Sequence, residues 1–281
     1  MADGKRWGLI AAAAVAVVAA SAGVAVGYGV WGAPDYYAVT DAADLPAGGE
    51  NDLIRLGWSI ITDTARHIGK DAEDPALRYA GNDLACANCH LDAGLKPFAA
   101  PFVSTSTSYP LMVDDRVVTL TDRINGCMRR SMNGKPLPVD GQEMRAMLAY
   151  IRYVGEKSPE GVRVPGMGLK PLAPAAEPPS AERGAAVYAA NCVRCHGADG
   201  QGNRKAPPGV GWAIPPLWGD GSFNDSAGMS HIETAAAFVR ANMPRGVTYE
   251  APILSIEAAW DVAAFLTAQP RPKGPPRGDS P

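Results

Sequence analysis

The feature that most constrains this chain is a motif that occurs twice, Cys-x-x-Cys-His, first at 86–90 and again at 192–196. Two thiols at this spacing can reach the two vinyl groups of one porphyrin, and the histidine beside them then lies under the iron as a ligand. A redox disulfide or half of a zinc site also uses Cys-x-x-Cys, but the appended histidine and the repetition argue against both. The sequence therefore predicts two covalently bound c-type haems, attached through Cys86, Cys89, His90, Cys192, Cys195 and His196.

Composition narrows the fold and the class of partner. The 281 residues include 26 basic and 29 acidic ones, a net charge of −3 that offers no basic field to a nucleic acid. The 25 prolines and 31 glycines favour helices separated by long irregular loops rather than strands. We therefore expect an all-α protein with two cytochrome c-like domains, one around each haem, and no nucleic-acid partner.

The two halves of the chain repeat the same order of elements. Apolar residues at helical spacing predict helices over about 52–68 and 141–155, on either side of the first motif. In the second half, Ser180 begins a helix that leads into the second motif, and Ser255 begins a closing helix over 256–268. This internal duplication predicts two related small helical domains.

Changes in composition set the domain boundaries. The first haem domain is predicted over 52–160 and the second over 180–269, joined by a linker over 161–179 that is rich in Pro, Gly and Ala. The Pro-rich, basic tail over 270–281 is expected to be disordered. Residues 32–51 link the first domain to the N-terminal segment.

The N-terminal segment over 1–31 has two interpretations. Lys5 and Arg6 precede an uncharged stretch over 7–31, a polarity that keeps the basic end in the cytoplasm. The length of the stretch favours an apolar helix retained as a membrane anchor, whereas small residues at 20–22 suit cleavage of a signal peptide. Either interpretation places the rest of the chain in the periplasm.

The sixth ligand of each iron must come from outside the motifs, and Met243 is the candidate for the second haem. A capping box of Ser230 and Glu233 predicts a helix through Arg240, after which Asn242-Met243-Pro244 leaves the helix, so the thioether lies on a loop positioned by a helix end. Thioether ligation raises the reduction potential of a haem. The alternatives are Met229, in a loop rich in Gly and Ser, and His231, at a helix start.

Cys127 is the one cysteine that the two motifs leave over. Free cysteines often serve only in packing, which is one interpretation. Its neighbours favour another, because arginines nearby stabilise a thiolate over a thiol. Such a thiolate at a haem face can ligate iron, act as a nucleophile, or alternate between the two roles. The arginines closest in sequence are Arg123, Arg129 and Arg130, with Arg116 further upstream.

The sequence around Cys127 resembles that of a known family, the dihaem thiosulfate dehydrogenases, also called tetrathionate synthases. The matching residues are Arg-Ile-Asn-Gly-Cys-Met-Arg-Arg-Ser-Met-Asn-Gly-Lys-Pro-Leu-Pro at 123–138. They follow a Cys-x-Asn-Cys-His-Leu motif at 86–91, with about 37 residues between its histidine and Cys127. The resemblance covers roughly 52–269 and is more specific than either haem motif alone.

The resemblance implies roles for particular residues. Cys127 takes the place of the distal ligand of the first, catalytic haem, and Arg123 and Ser131 take active-site positions. A second family arginine lies further upstream, where Arg116 substitutes for it, and Arg130 adds to the basic pocket. At the second haem the family places a methionine at the position of Met243. Some members carry a ligand-competent lysine just before it, and because this chain has an asparagine there, stable His/Met ligation is expected.

The resemblance also implies a reaction, the coupling of two thiosulfate ions into tetrathionate with release of two electrons. We hypothesise that Cys127 leaves the first iron, bonds to one thiosulfate, and is displaced by the second as in thiol–disulfide exchange. A small cytochrome c or a high-potential iron–sulfur protein is the expected electron acceptor.

Three other functions compete with this one. A non-catalytic dihaem electron-transfer cytochrome c would use the cysteine passively and the arginines for docking. A cysteine-ligated cytochrome of the sulfur-oxidation system would load thiosulfate onto a carrier protein. A dihaem peroxidase is least favoured, because only His67 and His231 remain and neither lies in a recognisable distal constellation.

Overall fold

The computed structural model describes residues 35–276, which are mainly helical with two small antiparallel ladders. The helices of this part are α1 (Glu50–Thr62), α2 (Thr64–Ile68), α3 (Leu91–Gly94), α4 (Leu120–Arg130), α5 (Gln142–Val154), α6 (Ala181–Asn191), α7 (Val193–His196), α8 (Ile232–Asn242) and α9 (Ile256–Thr267). Strands β1 (Leu111–Val113) and β2 (Arg116–Val118) form one ladder, and β3 (Asn203–Arg204) and β4 (Trp212–Ile214) form the other.

The predicted apolar helix over 7–31 lies outside the described residues. Within 35–276, no helix has the length and apolar character needed to cross a bilayer.

Most helix ends follow the sequence pattern. The Ser180 hydroxyl accepts a hydrogen bond from Arg183 N at the start of α6, and the Ser255 hydroxyl accepts one from Ala258 N at the start of α9, as predicted. The capping box predicted for α8 was wrong. His231, not Ser230, is the N-cap of α8, and its side chain makes no capping hydrogen bond. Ser230 cannot act as the predicted cap because its hydroxyl donates to the carbonyl of Asp225 at 2.7 Å.

Each domain is built on a crossing of its first and last long helices, α1 with α5 and α6 with α9. Apolar faces meet at the first crossing, where Ile60, Met144 and Tyr150 are all at most 2% exposed. A glycine lies at each crossing. A Cβ atom at Gly57 would lie 2.6 Å from the carbonyl carbon of Ala146, and one at Gly184 would lie 2.5 Å from that of Asp261. The duplication seen in sequence thus extends to the close contact that joins the helices.

Replacing Gly184 with alanine should lower the free energy of unfolding by about 1–3 kcal/mol or more, because the added methyl group overlaps backbone and forces α6 away from α9. Thermal or denaturant unfolding of the haem-loaded protein measures this. Gly228→Ala is the control, since Gly228 is exposed and a Cβ there has no atom within 4 Å. Equal stability of the two variants would contradict the packing argument.

The two domains pack against each other through the β3–β4 hairpin of the second. Arg204 forms an ion pair with Asp83, whose side chain is 2% exposed. Lys205 Nζ lies 2.8 Å from Asp63 Oδ1 in a second ion pair across the interface. The Arg204 guanidinium also stacks over the ring of Trp212, which packs on the core of the first domain. These contacts place both haem motifs in one compact unit.

Residues 161–179 run mainly without regular structure, first along the first domain and then, at Leu172 and Ala173, along the second. Gly166 O accepts a hydrogen bond from Phe98 N at 2.7 Å, and Gly168 O accepts one from Ala100 N at 2.9 Å. Val164 is buried in the core of the first domain. The segment therefore supports the loop that follows the first motif.

The expectation of a disordered tail was wrong for 270–276. Arg271 stacks over the ring of Phe223 at 4.4 Å, and Lys273 Nζ lies 2.9 Å from Asp225 Oδ2. The basic, Pro-rich composition that suggested disorder instead supplies partners for an aromatic ring and a carboxylate in the second domain.

Candidate functional site

The first motif begins in a 3₁₀ turn at Cys86–Asn88. The start of α2 holds this turn, because Cys86 N donates to Thr64 Oγ1 at 3.1 Å, and that hydroxyl donates to the carbonyl of Ile60 in α1 at 2.7 Å. His90 Nδ1 lies 2.6 Å from the carbonyl oxygen of Ala100. Ala100 has a φ of 50°, a left-handed conformation that aims its carbonyl back at the imidazole.

The second motif has the same arrangement of histidine and carbonyl. α7 ends at His196, whose Nδ1 lies 3.0 Å from the carbonyl oxygen of Pro215. Cys192 and Met243 both pack on the apolar cluster that contains Tyr188 and Trp218. The side chain predicted as a ligand thus lies beside the same core as the first cysteine of the motif.

The residues at both motifs fit a covalently bound haem. A carbonyl beside Nδ1 fixes the proton on that nitrogen and leaves the Nε2 lone pair for a metal. Burial lowers the pKa of both histidines, and the hydrogen bond to the Ala100 or Pro215 carbonyl only partly offsets this effect. The lowered pKa favours the neutral imidazole, which is the form that binds a metal. The five cysteines form no disulfide, which leaves both pairs available for thioether bonds.

Helix α4 carries the leftover cysteine. It begins with a capping box, in which Thr119 Oγ1 accepts from Asp122 N at 3.1 Å and the Asp122 carboxylate accepts from Thr119 N at 2.9 Å. One face is anchored by Asn125, whose amide exchanges two hydrogen bonds with the backbone of Leu137. The other face presents residues at spacings of four and three, Arg123, Cys127 and Arg130.

The charges on that face interact with one another and with the first motif. Cys127 lies close enough to Arg123 that a thiolate there raises the pKa of the guanidinium. Burial raises the pKa of Cys86 to about 11 and that of Cys89 to about 12, and the charge of Cys127 adds to both shifts. Cys127 is therefore close enough to interact electrostatically with both cysteines of the first motif and with the guanidinium of Arg123.

Gly126 leaves room for the Arg130 side chain beside α4. A Cβ atom at Gly126 would come within 2.7 Å of Arg130 Nη2, so the guanidinium folds back along α4 over the glycine. Burial lowers the pKa of Arg130, the charges of Arg123 and Arg129 add to that effect, and the charge of Cys127 opposes it. The absence of a side chain at Gly126 thus keeps a second cation close to the thiol.

Tyr109 is a further residue near Cys127 that was not predicted from the sequence. Burial raises the pKa of its phenol, with Cys127 adding to the rise and Arg123 opposing it. This half-buried residue precedes the β1–β2 hairpin, 18 positions before Cys127, and no local pattern marks it as part of the site.

Ser131 and Arg116 occupy different surroundings. Ser131 is the C-cap of α4, one turn after Cys127, and its carbonyl accepts from Asn82 Nδ2 at 2.9 Å. Arg116 is exposed at the start of β2, opposite Val113 in the hairpin.

The alternative ligands also have defined places. Met229 lies in a 3₁₀ turn at Gly228–Ser230, next to the N-cap His231. His67, on α2, lines a surface cavity of about 540 Å³ with acidic residues that include Asp71 and Glu73. Met243 is the C-cap of α8.

Comparison with known proteins shows two family-model matches. Residues 78–159 match the SoxA/TsdA cytochrome c domain, and residues 181–269 match the cytochrome c family. Each match contains one Cys-x-x-Cys-His motif, so each domain is a cytochrome c domain with its own covalently bound haem.

Individual relatives cover most of the chain. A thiosulfate dehydrogenase of Stutzerimonas stutzeri is 36% identical over 242 residues, which covers 85% of this chain and 74% of the relative. One from Allochromatium vinosum is 38% identical over 240 residues, with 83% and 84% covered. The structure of thiosulfate dehydrogenase TsdBA from Marichromatium purpuratum superposes with a TM-score of 0.75 at 36% identity. The match covers 86% of this chain but only 51% of the TsdBA chain.

Proposed function

This chain belongs to the thiosulfate dehydrogenase family, and on that basis we propose that it oxidises two thiosulfate ions to tetrathionate. The two electrons pass through its two c-type haems to an external acceptor. The observation that carries the proposal is the shared face of α4, where Cys127 lies with Arg123 and Arg130 within electrostatic range of the first motif.

The arginines address the main obstacle to the reaction, which is charge. Two thiosulfate dianions at about 7 Å repel each other by roughly 2 kcal/mol even with water-like screening. Arg123 and Arg130 supply cations on the Cys127 face, and a guanidinium fork matches the oxygens of a sulfonate-like group. The Ser131 hydroxyl adds a hydrogen-bond donor one turn further along. Arg116 contributes to the field from the hairpin before α4.

Cys127 acts as the nucleophile. Its thiolate and the terminal sulfur of one thiosulfate form a sulfur–sulfur bond, and the pair loses two electrons. The terminal sulfur of the second thiosulfate then attacks the thiosulfate sulfur of this adduct. The bond to Cys127 Sγ breaks, its electron pair stays on the cysteine as a thiolate, and tetrathionate leaves.

When bound, the two haems would act as one-electron acceptors, one for each electron released. In this proposal the first haem would be held by Cys86, Cys89, His90 and Cys127, and the second by Cys192, Cys195, His196 and Met243. Met243 favours a high potential at the second haem, which suits the exit of electrons.

The external electron acceptor is expected near the second haem, where electrons leave the protein. A small cytochrome c or a high-potential iron–sulfur protein docks near the second haem in this proposal. The location is periplasmic, either anchored through residues 7–31 or released after cleavage of a signal peptide.

Purified protein carrying both haems should reduce ferricyanide only when thiosulfate is added, with two ferricyanide ions consumed for each tetrathionate formed. Cyanolysis or ion chromatography measures the tetrathionate. Absence of thiosulfate-dependent reduction would contradict the proposal in favour of a simple electron carrier. Oxidation that requires a carrier protein and yields no free tetrathionate would instead indicate a cytochrome of the sulfur-oxidation system.

A further inference from the structure

Asn242 makes a contact between the domains that the reaction scheme does not use. It is the last residue of α8, immediately before Met243, and it is fully buried. Its Nδ2 donates to the carbonyl of Phe98 in the first domain at 3.0 Å and to the carbonyl of Phe238 at 3.1 Å. One amide group therefore joins the end of α8 to a loop of the other domain.

That loop is the one that orients the histidine of the first motif. Phe98 and Ala100 both have left-handed φ values, 57° and 50°, and the carbonyl of Ala100 receives His90 Nδ1. Non-glycine residues keep such conformations only where surrounding contacts enforce them. Hydrogen bonds from the backbone of Phe98 and Ala100 to residues 166 and 168 supply part of this restraint, and the bond from Asn242 supplies another part.

Two further contacts join the same pair of loops. The rings of Phe98 and Tyr249 meet edge to face at 4.4 Å, and Lys96 Nζ donates to the carbonyl of Val247 at 3.0 Å. The segment over 242–249, which includes Met243, is thus held on the loop after the first motif at three points. Only the Asn242 contact adjoins Met243 directly.

We propose that Asn242 is a positioning residue that couples the two haem sites, because it ties the segment bearing Met243 to the loop whose Ala100 carbonyl orients His90. The proposal rests on the proposed ligation of the second haem by Met243. Its chemical basis is the donor pair of the amide. Loss of these donors removes the hydrogen bond that the carbonyl of Phe98 receives across the interface, so the end of α8 shifts and Met243 moves with it.

Asn242→Asp tests the proposal because the carboxylate keeps the side-chain shape but accepts where the amide donates. Asn133→Asp is the matched control. Asn133 Nδ2 also donates across the interface, to the carbonyl of Ser222 at 2.7 Å, but it adjoins no proposed haem ligand. Its φ of 49° is one that aspartate tolerates.

The readouts are the weak long-wavelength absorption band of a ferric methionine–haem, the reduction potentials of both haems, and the thermal midpoint. Both variants should lose thermal stability. Only Asn242→Asp should lose the methionine band and lower the potential of the second haem, with an accompanying change at the first. A full methionine band and unchanged potentials in Asn242→Asp would overturn the proposal, and would reduce Asn242 to a structural brace.

Asn242→Ser decides the outcome if the aspartate variant does not accumulate with both haems. The serine hydroxyl is too short to span the interface to Phe98, so the same loss of methionine ligation is expected, and its retention would overturn the proposal. The spectrum of the unsubstituted protein tests ligation by Met243 separately from the proposed activity. If it lacks the methionine band, the proposed ligation fails together with the coupling, whereas thiosulfate oxidation is scored independently with ferricyanide.

Discussion

Thiosulfate oxidation should be lost when Cys127 is replaced with glycine while both haems remain attached. We expect turnover to fall by at least about 10³-fold, the scale seen when a covalent nucleophile is removed from an enzyme. The reason is that no other thiol remains to form the adduct with thiosulfate, since the other four cysteines are committed to the haems.

The measurement is the steady-state rate with ferricyanide, normalised to haem content. Glycine inside α4 also weakens the helix by about 1 kcal/mol relative to alanine, so Cys127→Ala is the companion variant that preserves the helix. Both variants should bind thiosulfate through the arginines and yet not turn over. Substantial activity in either one, with two haems per chain, would contradict a covalent role for Cys127.

The haem motifs were predictable because covalent chemistry fixes their spacing within five residues. Neither the carbonyls that orient the histidines nor the amide of Asn242 could be predicted in this way. Asn242 and Phe98 are 144 positions apart, and a backbone carbonyl carries no sequence signal at all. Such pairings are decided by how the domains pack, which a local pattern does not encode.

The position of Cys127 shows the opposite case. Nearness in sequence singles out Arg123 and Arg130 as neighbours of Cys127, and α4, which was not predicted, places all three on one face. The role of Gly126 in admitting the Arg130 guanidinium, and the approach of Tyr109, depend on three-dimensional packing. The chemistry-bearing residues were therefore accessible from sequence, whereas the residues that position them were not.

Replacing Arg123 with methionine should lower kcat/KM for thiosulfate by about 10²-fold to 10³-fold, the range for loss of one donor to a developing or bound anion. Methionine fills similar space without charge, so the loss reports the interaction of the guanidinium with the dianion rather than a cavity. Steady-state kinetics at low ionic strength measure it, because salt screens exposed charges.

Arg129→Met is the matched control on the same helix. Arg129 follows Cys127 by two positions, which places it on a different side of α4, and its carbonyl receives Asn224 Nδ2 from the second domain. Its side chain should therefore matter far less to thiosulfate. Arg123→Lys should recover only part of the loss, since an ammonium keeps the charge but not the planar fork. If Arg123→Met and Arg129→Met reduced kcat/KM equally, a general basic field would explain the data, and a specific contact between Arg123 and substrate would be contradicted.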